Sequence, residues 1–211
     1  MKKLILIILL ALPFVLQTVL WAQRFNGGAL IGICASQVDG DTYGGFDKVG
    51  LQGGVFVNTK FSDAWGAQME IKYNGKGARK KTSKDDFETY SRTLHYIDLP
   101  VMINFTIKEK YILDAGLVPG YLFAKNGEED GYKISGEELS GYKKFDLSWL
   151  LGFNYRITDN FIANIRYSYS LFSIRDYENI DANYGIIAQI FGYTNGDYNN
   201  FLTMGIYYQF D

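Results

Sequence analysis

The sequence has one cysteine, one histidine and three prolines in 211 residues. A lone Cys34 allows no internal disulfide, so an exported form of this chain is not held by cross-links. With His95 as the single imidazole, a histidine-rich metal centre is excluded, and neither a metal nor another cofactor is expected. Charge of one sign is lacking too. Lys and Arg number 21 against 23 Asp and Glu, a net charge of -2, which is too balanced to imply a nucleic-acid partner. After residue 22 no run approaches the ~18 consecutive apolar residues of a helical membrane span.

Strand formers and glycine are abundant. Aromatics make up 17% of the chain and glycines number 23, a profile that favours β-structure and argues against disorder. The first residues, MKKLILIILLALPFVLQTVLWAQ, place Lys2 and Lys3 before an apolar run from Leu4 to Ala22. This pattern predicts a secretory signal peptide over 1–22, with a mature domain over 23–211. A membrane anchor is the alternative, against which Pro13 and Gln17 interrupt the run. Cys34 follows Gly32 and Ile33 well beyond that run, so it reads as a small strand residue and not as a lipid attachment site.

The mature chain alternates apolar and polar residues in stretches of about ten, the period of strands. WGAQMEIKYN sends Trp65, Ala67, Met69, Ile71 and Tyr73 one way and Gln68, Glu70, Lys72 and Asn74 the other. DLSWLLGFNYRI, NFIANIRYSYSLF and FLTMGIYYQF repeat the pattern, the second of these with Phe161, Ala163, Ile165, Tyr167, Tyr169 and Leu171 on its apolar face. A soluble sandwich would alternate as well; connection lengths separate the two. Short links at 62–64, 108–110 and 158–160 alternate with long polar ones at 37–48, 75–93, 125–143 and 174–199. That parity predicts an all-β fold, an eight-stranded antiparallel transmembrane up-and-down β-barrel, with short periplasmic turns and long extracellular loops. Trp65, Tyr73, Tyr111, Tyr121, Phe123, Phe145, Phe161 and Tyr208 lie near strand ends, as girdle aromatics do.

The inward register collects Lys60, Glu70, Lys72, Asp98, Asp114, Asp146, Arg156 and Arg166. Unpaired charges in so narrow a lumen would be prohibitively costly, so a structural network of salt bridges and hydrogen bonds is expected. A gated pore or a small-ligand site is the functional alternative. In YIDLPVMINF (96–105), Pro100 removes a ladder donor, and Pro119 falls at a similar height on the paired strand. The two predict a local bulge or a weakened ladder.

Other motifs carry less. His95, with Ser91, Asp85 and Asp86 nearby, could form a rim hydrolase site, but its register points to lipid and no catalytic residue is assigned. The basic RKKTSK (79–84) could meet lipopolysaccharide phosphates, yet DDFE follows at once, as in a mixed solvated loop. NGEED (126–130) lacks the ligand spacing of a calcium loop. YGIIAQIFGY (184–193) is unusually apolar for a loop and could cover the barrel mouth, extend strands, or meet a partner.

The segments GLQGGVFVNTKF, AQMEIKYNGKGA, LHYIDLPVMINF, YILDAGLVPGYLFAK, KKFDLSWLLGFNY, IRYSYSLFSI and FLTMGIYYQF, in this order, resemble the PorT-like outer-membrane β-barrel family. Here the chain ends in Phe210 and Asp211, where such barrels usually finish on the aromatic residue. The resemblance implies the outer membrane of a Gram-negative bacterium, contact with outer-membrane lipid and lipopolysaccharide, and no enzymatic activity. It implies a structural or interaction role, as an accessory of a secretion or envelope complex; one relative takes part in type IX secretion.

Overall fold

Alternation of the kind seen in WGAQMEIKYN demands a sheet with one apolar and one polar face. The computed structural model describes residues 25–41, 44–80, 89–134, 139–176, 184–192 and 196–210. The expected signal peptide, most of RKKTSK and DDFE, and Asp211 lie outside the described residues. Ten strands form: β1 (Phe25–Asp39), β2 (Lys48–Lys60), β3 (Trp65–Lys80), β4 (Tyr90–Asp98), β5 (Val101–Ile107), β6 (Tyr111–Glu129), the short β7 (Tyr132–Lys133), β8 (Phe145–Arg156), β9 (Phe161–Ser170) and β10 (Tyr198–Gln209). A helix of six residues, α1 (Ile186–Phe191), precedes β10.

The sheet is antiparallel and closes on itself. β1 pairs with β2 and with β10, β2 with β3, β6 with β8, β8 with β9, and β9 with β10. β4 and β5 together form one stave, because both pair with β3 on one side and β6 on the other. The ring therefore has eight staves, and β7 is an appendage paired to the top of β6.

Sequence chemistry sets the short turns. Ser62 accepts at its hydroxyl from the Trp65 N–H at 3.1 Å, and Thr158 does the same for Phe161 at 3.0 Å. Each hydroxyl opens a turn of the type Ser and Thr favour. The third turn places Lys108 and Glu109 at φ of 50° and 60°. Both chain ends of the barrel lie on this side, where Phe210 donates to the Gly27 carbonyl at 2.8 Å.

The outer face carries Ile31, Leu51, Val55, Ile71, Val101, Leu117, Leu151 and Ile206, all exposed. Aromatic pairs rim this belt. Below it lie Trp65 with Phe105, Tyr111 with Tyr155, and Phe161 with Tyr208; above it lie Tyr73 with His95 and Phe123, Tyr121 with Phe145, and Trp149 with Tyr167. From Trp65 to Tyr73 the strand advances roughly 27 Å at ~3.4 Å per residue, or about 20 Å in height at a ~40° tilt. That matches the apolar band of an outer-membrane barrel, about 25 Å tall.

Two expectations need correction. The long loops are shorter than the sequence suggests, because β1 runs on to Asp39, β3 to Lys80, β6 to Glu129, and β4 and β10 begin at Tyr90 and Tyr198. Gly75, Lys76 and Gly77 read as a loop start, but the inward alternation continues through Asn74, Lys76 and Ala78, all buried. Tyr169 keeps its outward register but is covered, as described below.

The proline pair interrupts the ladder without shifting it. Glu70 donates to the Pro100 carbonyl at 2.9 Å and Leu99 to the Pro119 carbonyl at 2.8 Å, while the reciprocal donor of each pair is a proline nitrogen. Two adjacent pairs are thus half-made, and the stave divides into β4 and β5 at this point. The register on both sides of the break is the same. A bulge occurs higher, where His95 pairs with Ala124 and Tyr96 with Leu122, leaving Phe123 as the extra residue on β6.

Adjacent glycines on β2 test the packing. A Cβ on Gly54 would stand 2.1 Å from the Ile71 carbonyl oxygen and 2.6 Å from Lys72 Cα, whereas one on Gly53 would find nothing nearer than the Leu30 carbonyl oxygen at 3.6 Å. We expect Gly54→Ala to cost about 1–3 kcal/mol in a urea titration of the refolded barrel. Gly53→Ala should cost well under half of that, and equal losses would contradict the packing.

Candidate functional site in the barrel lumen

Closing a sheet at eight strands leaves an interior that side chains fill. The inward residues here include many charges, and position in the register decides which of them meet. Asp114 on β6, Gly152 on β8 and Arg166 on β9 occupy one row across three strands. The missing side chain at Gly152 opens the gap between the outer two. A Cβ there would lie 2.5 Å from Arg166 Cγ and 3.1 Å from Asp114 Oδ2.

Arg166 fills that gap. Its Nε donates to Asp114 Oδ2 at 2.9 Å and its Nη2 lies 2.7 Å from the same oxygen. Nη1 donates to Glu70 Oε1 at 2.6 Å and to the Tyr207 hydroxyl at 2.9 Å. Lys72 Nζ lies 3.3 Å from Glu70 Oε2 and donates to Gln52 Oε1 at 3.1 Å. Gln68 and Asn104 donate to Glu70 and Asp114, each at 2.7 Å. The guanidinium is 2% exposed, and the planar fork of Arg suits a site that must hold two carboxylates at once.

A second cluster repeats the device. Asp98, Gly120 and Asp146 share a row, and a Cβ on Gly120 would come within 2.7 Å of Asp98 Oδ1. Lys76 Nζ donates to Asp98 at 3.0 Å, lies 3.8 Å from Asp146, and sits 4.3 Å and 4.2 Å from the ring centroids of Tyr96 and Phe201. Asp146 also accepts from Ser148, Ser170 and Asn199, and Asp98 accepts from Asn74.

Of the eight charged residues expected in the lumen, the structure brings together Glu70, Lys72, Asp114 and Arg166 in one cluster and Asp98 with Asp146 in the other. Lys60 and Arg156 are not among them. Both lie at the periplasmic mouth, where Lys60 is exposed and Arg156 donates to the Asp159 carbonyl at 3.3 Å. Inward register alone does not bury a residue in the last turn of a strand, where a long cationic side chain reaches water. Lys76 was missed because its flanking glycines resemble a loop; unbroken alternation from Glu70 to Ala78 is the signal that would have found it.

Above the clusters the lumen is apolar. Val38, Ala78, Tyr90, Leu94, Tyr96 and Leu122 pack with Tyr142 and Ile174, which two extracellular connections fold into the mouth. Lys143 donates to the Ile174 carbonyl at 2.8 Å, joining those connections. Arg92 donates to the Tyr142 hydroxyl, and burial pushes that hydroxyl's pKa up to about 12, so it stays protonated. Outside, hydrogen bonds from Lys143 and Ser173 hold the Asp176 carboxyl below its ordinary pKa.

Below the clusters is a cavity of about 460 Å³, lined by Asn26, Asn58, Gln68, Asn104, Asn154 and Gln209 and roofed by Phe56, Ile112, Ile162 and Tyr207. Lys60 and Arg156 stand at its mouth. It ends blind beneath Arg166, whose guanidinium the Tyr207 hydroxyl meets.

His95 is on the outer wall, in the upper aromatic ring. Its Nδ1 lies 2.7 Å from the Tyr73 hydroxyl and its Nε2 lies 3.1 Å from Asn126 Nδ2. Cys34 is buried on the lumenal face of β1. Among the described residues no group of three or more His, Cys, Asp or Glu is placed to hold a metal ion.

No curated protein matches the chain. Among solved structures, Ail, the attachment invasion locus protein of Yersinia pestis, is similar at 16% identity and a TM-score of 0.51, over 89% of this chain and 99% of that one. Neisserial surface protein A is similar at 10% identity and a TM-score of 0.45, over 90% of this chain and 99% of its own. At such identity the likeness to Ail shows the fold alone. The family model described as outer membrane protein beta-barrel domain matches residues 21–176. The chain belongs to that family, and it is an outer-membrane β-barrel protein.

Proposed function

We propose that this barrel is closed to passage and serves a structural or interaction role in the envelope, as an accessory of a secretion or envelope complex of the PorT-like kind. The observation that carries the reading is the filled lumen. Arg166, Glu70, Lys72, Lys76, Asp98, Asp114 and Asp146 are all buried and cross-linked within it, and an aromatic plug lies above them. A pore would need these groups to face water. The periplasmic cavity does not offer a route, because Tyr207 and Arg166 end it.

The same geometry gives no support to an enzyme. His95 is held by Tyr73 and Asn126 on the lipid side of the wall, away from the lumenal carboxylates. The PorT-like assignment rests on the ordered strand segments of the sequence, and the expected partners are outer-membrane lipid, lipopolysaccharide and envelope proteins.

Three outcomes test the reading. In planar bilayers the refolded barrel should give no conductance steps, and reproducible steps would overturn the closed lumen. Arg166→Met strips Asp114 of its counter-charge and should destabilise the barrel by about 3–5 kcal/mol in urea, with Asp114→Asn added to it recovering part of the loss. An unchanged midpoint in the single variant would contradict a desolvated network. Cross-linking and purification from native outer membranes should recover the barrel with a stoichiometric envelope protein; recovery of the barrel alone would count against an accessory role.

A further inference from the structure

The outer wall of the barrel is not bare above its upper aromatic ring. On the outward register of β1, β9 and β10, Gln37, Asp39, Asn200, Tyr198 and Tyr169 are buried, although the same face is exposed a few residues lower. What covers this patch is α1, which precedes β10 in the chain. Ala188 is fully buried against Tyr169 and Tyr198, and Ile187, Tyr184, Trp149 and Tyr167 pack around them. The helix thus rests on the outside of the wall and does not close the mouth.

Asp39 fixes the helix there. Its carboxylate accepts from the Tyr169 hydroxyl at 3.0 Å, from Asn200 at 3.3 Å, from Gln37, and from the Gly185 N–H that opens the helix. A Cβ on Gly185 would lie 2.8 Å from Asp39 Oδ2, so the close approach depends on glycine. At the other end Gly192 closes the helix at φ 70°.

The side of α1 turned away from the wall is apolar. Ile186 is 75% exposed, Ile190 69% and Phe191 56%, and no charged residue occurs between Tyr184 and Gly192. Two of the wall residues beneath the helix, Trp149 and Tyr167, form the upper aromatic ring on β8 and β9. The exposed arc therefore continues the lipid-facing belt upward at the level where aromatic rings mark the headgroups.

We propose that α1 is an interfacial anchor: Ile186, Ile190 and Phe191 insert at the headgroup–acyl boundary of the outer leaflet, and the occupant of this face is lipid. Continuity with the belt and the absence of charge favour lipid over a protein surface. An uncharged apolar arc beside the belt shields itself from water without a partner chain. The proposal goes beyond the closed-lumen reading and does not depend on it.

The test uses full-length barrel refolded into phosphatidylethanolamine and phosphatidylglycerol vesicles. Cys34→Ser supplies a background in which Ile190→Cys or Phe191→Cys carries a nitroxide label. Collision with oxygen, which concentrates in lipid, is compared with collision with a water-soluble nickel chelate. Ile31→Cys in the belt and Glu109→Cys in a periplasmic turn give the lipid and water limits, and the heat-dependent gel shift confirms folding of each variant. Oxygen accessibility at 190 and 191 should exceed nickel accessibility several-fold and approach the Ile31 limit. Nickel accessibility near the Glu109 limit would overturn the proposal. So would protection from both agents, which would mean that a second copy or another protein covers the face.

Discussion

Inside a hydrocarbon layer a backbone N–H or C=O has no water to turn to, so the sheet must supply each partner itself. That constraint closes this chain into a ring, with β10 returning to β1 along an unbroken register from Gly28 with Gln209 to Asp39 with Tyr198. The prolines show how much departure the ring accepts. Pro100 and Pro119 each remove one donor, but they do so in neighbouring pairs, and the carbonyl of each proline still accepts. Placing both losses at one level confines them to one junction, and the flanking pairs hold the register across it.

A ring of eight also fixes what the interior must be. Every second residue of each strand points into a space too narrow for bulk water, so charges there have to find one another. The strand rows make this possible only where a glycine stands between the partners. Gly152 lets Arg166 and Asp114 meet across β8, and Gly120 leaves Asp98 room beside Lys76. Arginine and lysine take different places accordingly. Arg166 bridges two carboxylates and a tyrosine with its fork, whereas Lys76 presents a point charge to a carboxylate and two aromatic faces. Such networks add little stability over an apolar core, but losing one partner is costly, which holds the pairs together as sets.

The ring and its eight staves were legible in the sequence because two independent periods coincide: alternation along each strand and parity of the connections between them. The lumenal charges were legible as a set from the same alternation. Their pairing was not, since it depends on register between strands distant in sequence, such as Glu70 with Arg166. The errors share one physical origin, the ends of strands. At the periplasmic end Lys60 and Arg156 keep the inward phase but reach water. At the extracellular end Lys76 keeps the phase beneath glycines that look like a turn, and it is buried. The position of α1 could not be read at all, because a short apolar segment carries no mark of which side of a wall it will cover.

The two ends of the barrel are consequently built on different terms. At the periplasmic end the lumen opens into a cavity of carboxamides, which water can solvate at little cost, and Tyr207 with Arg166 roofs it. At the extracellular end the lumen is packed with Tyr90, Leu94, Tyr96, Tyr142 and Ile174. Polar burial has moved instead to the outside of the wall, where Asp39 is enclosed by Tyr169, Asn200 and Gly185. A buried carboxylate on the outer face of a membrane barrel is affordable only above the hydrocarbon and only beneath a cover. The strands therefore rise past the aromatic ring for a reason: they carry the patch on which α1 is seated. Recognition at the cell surface then falls to the outer wall and the loops, since the lumen presents nothing to that side.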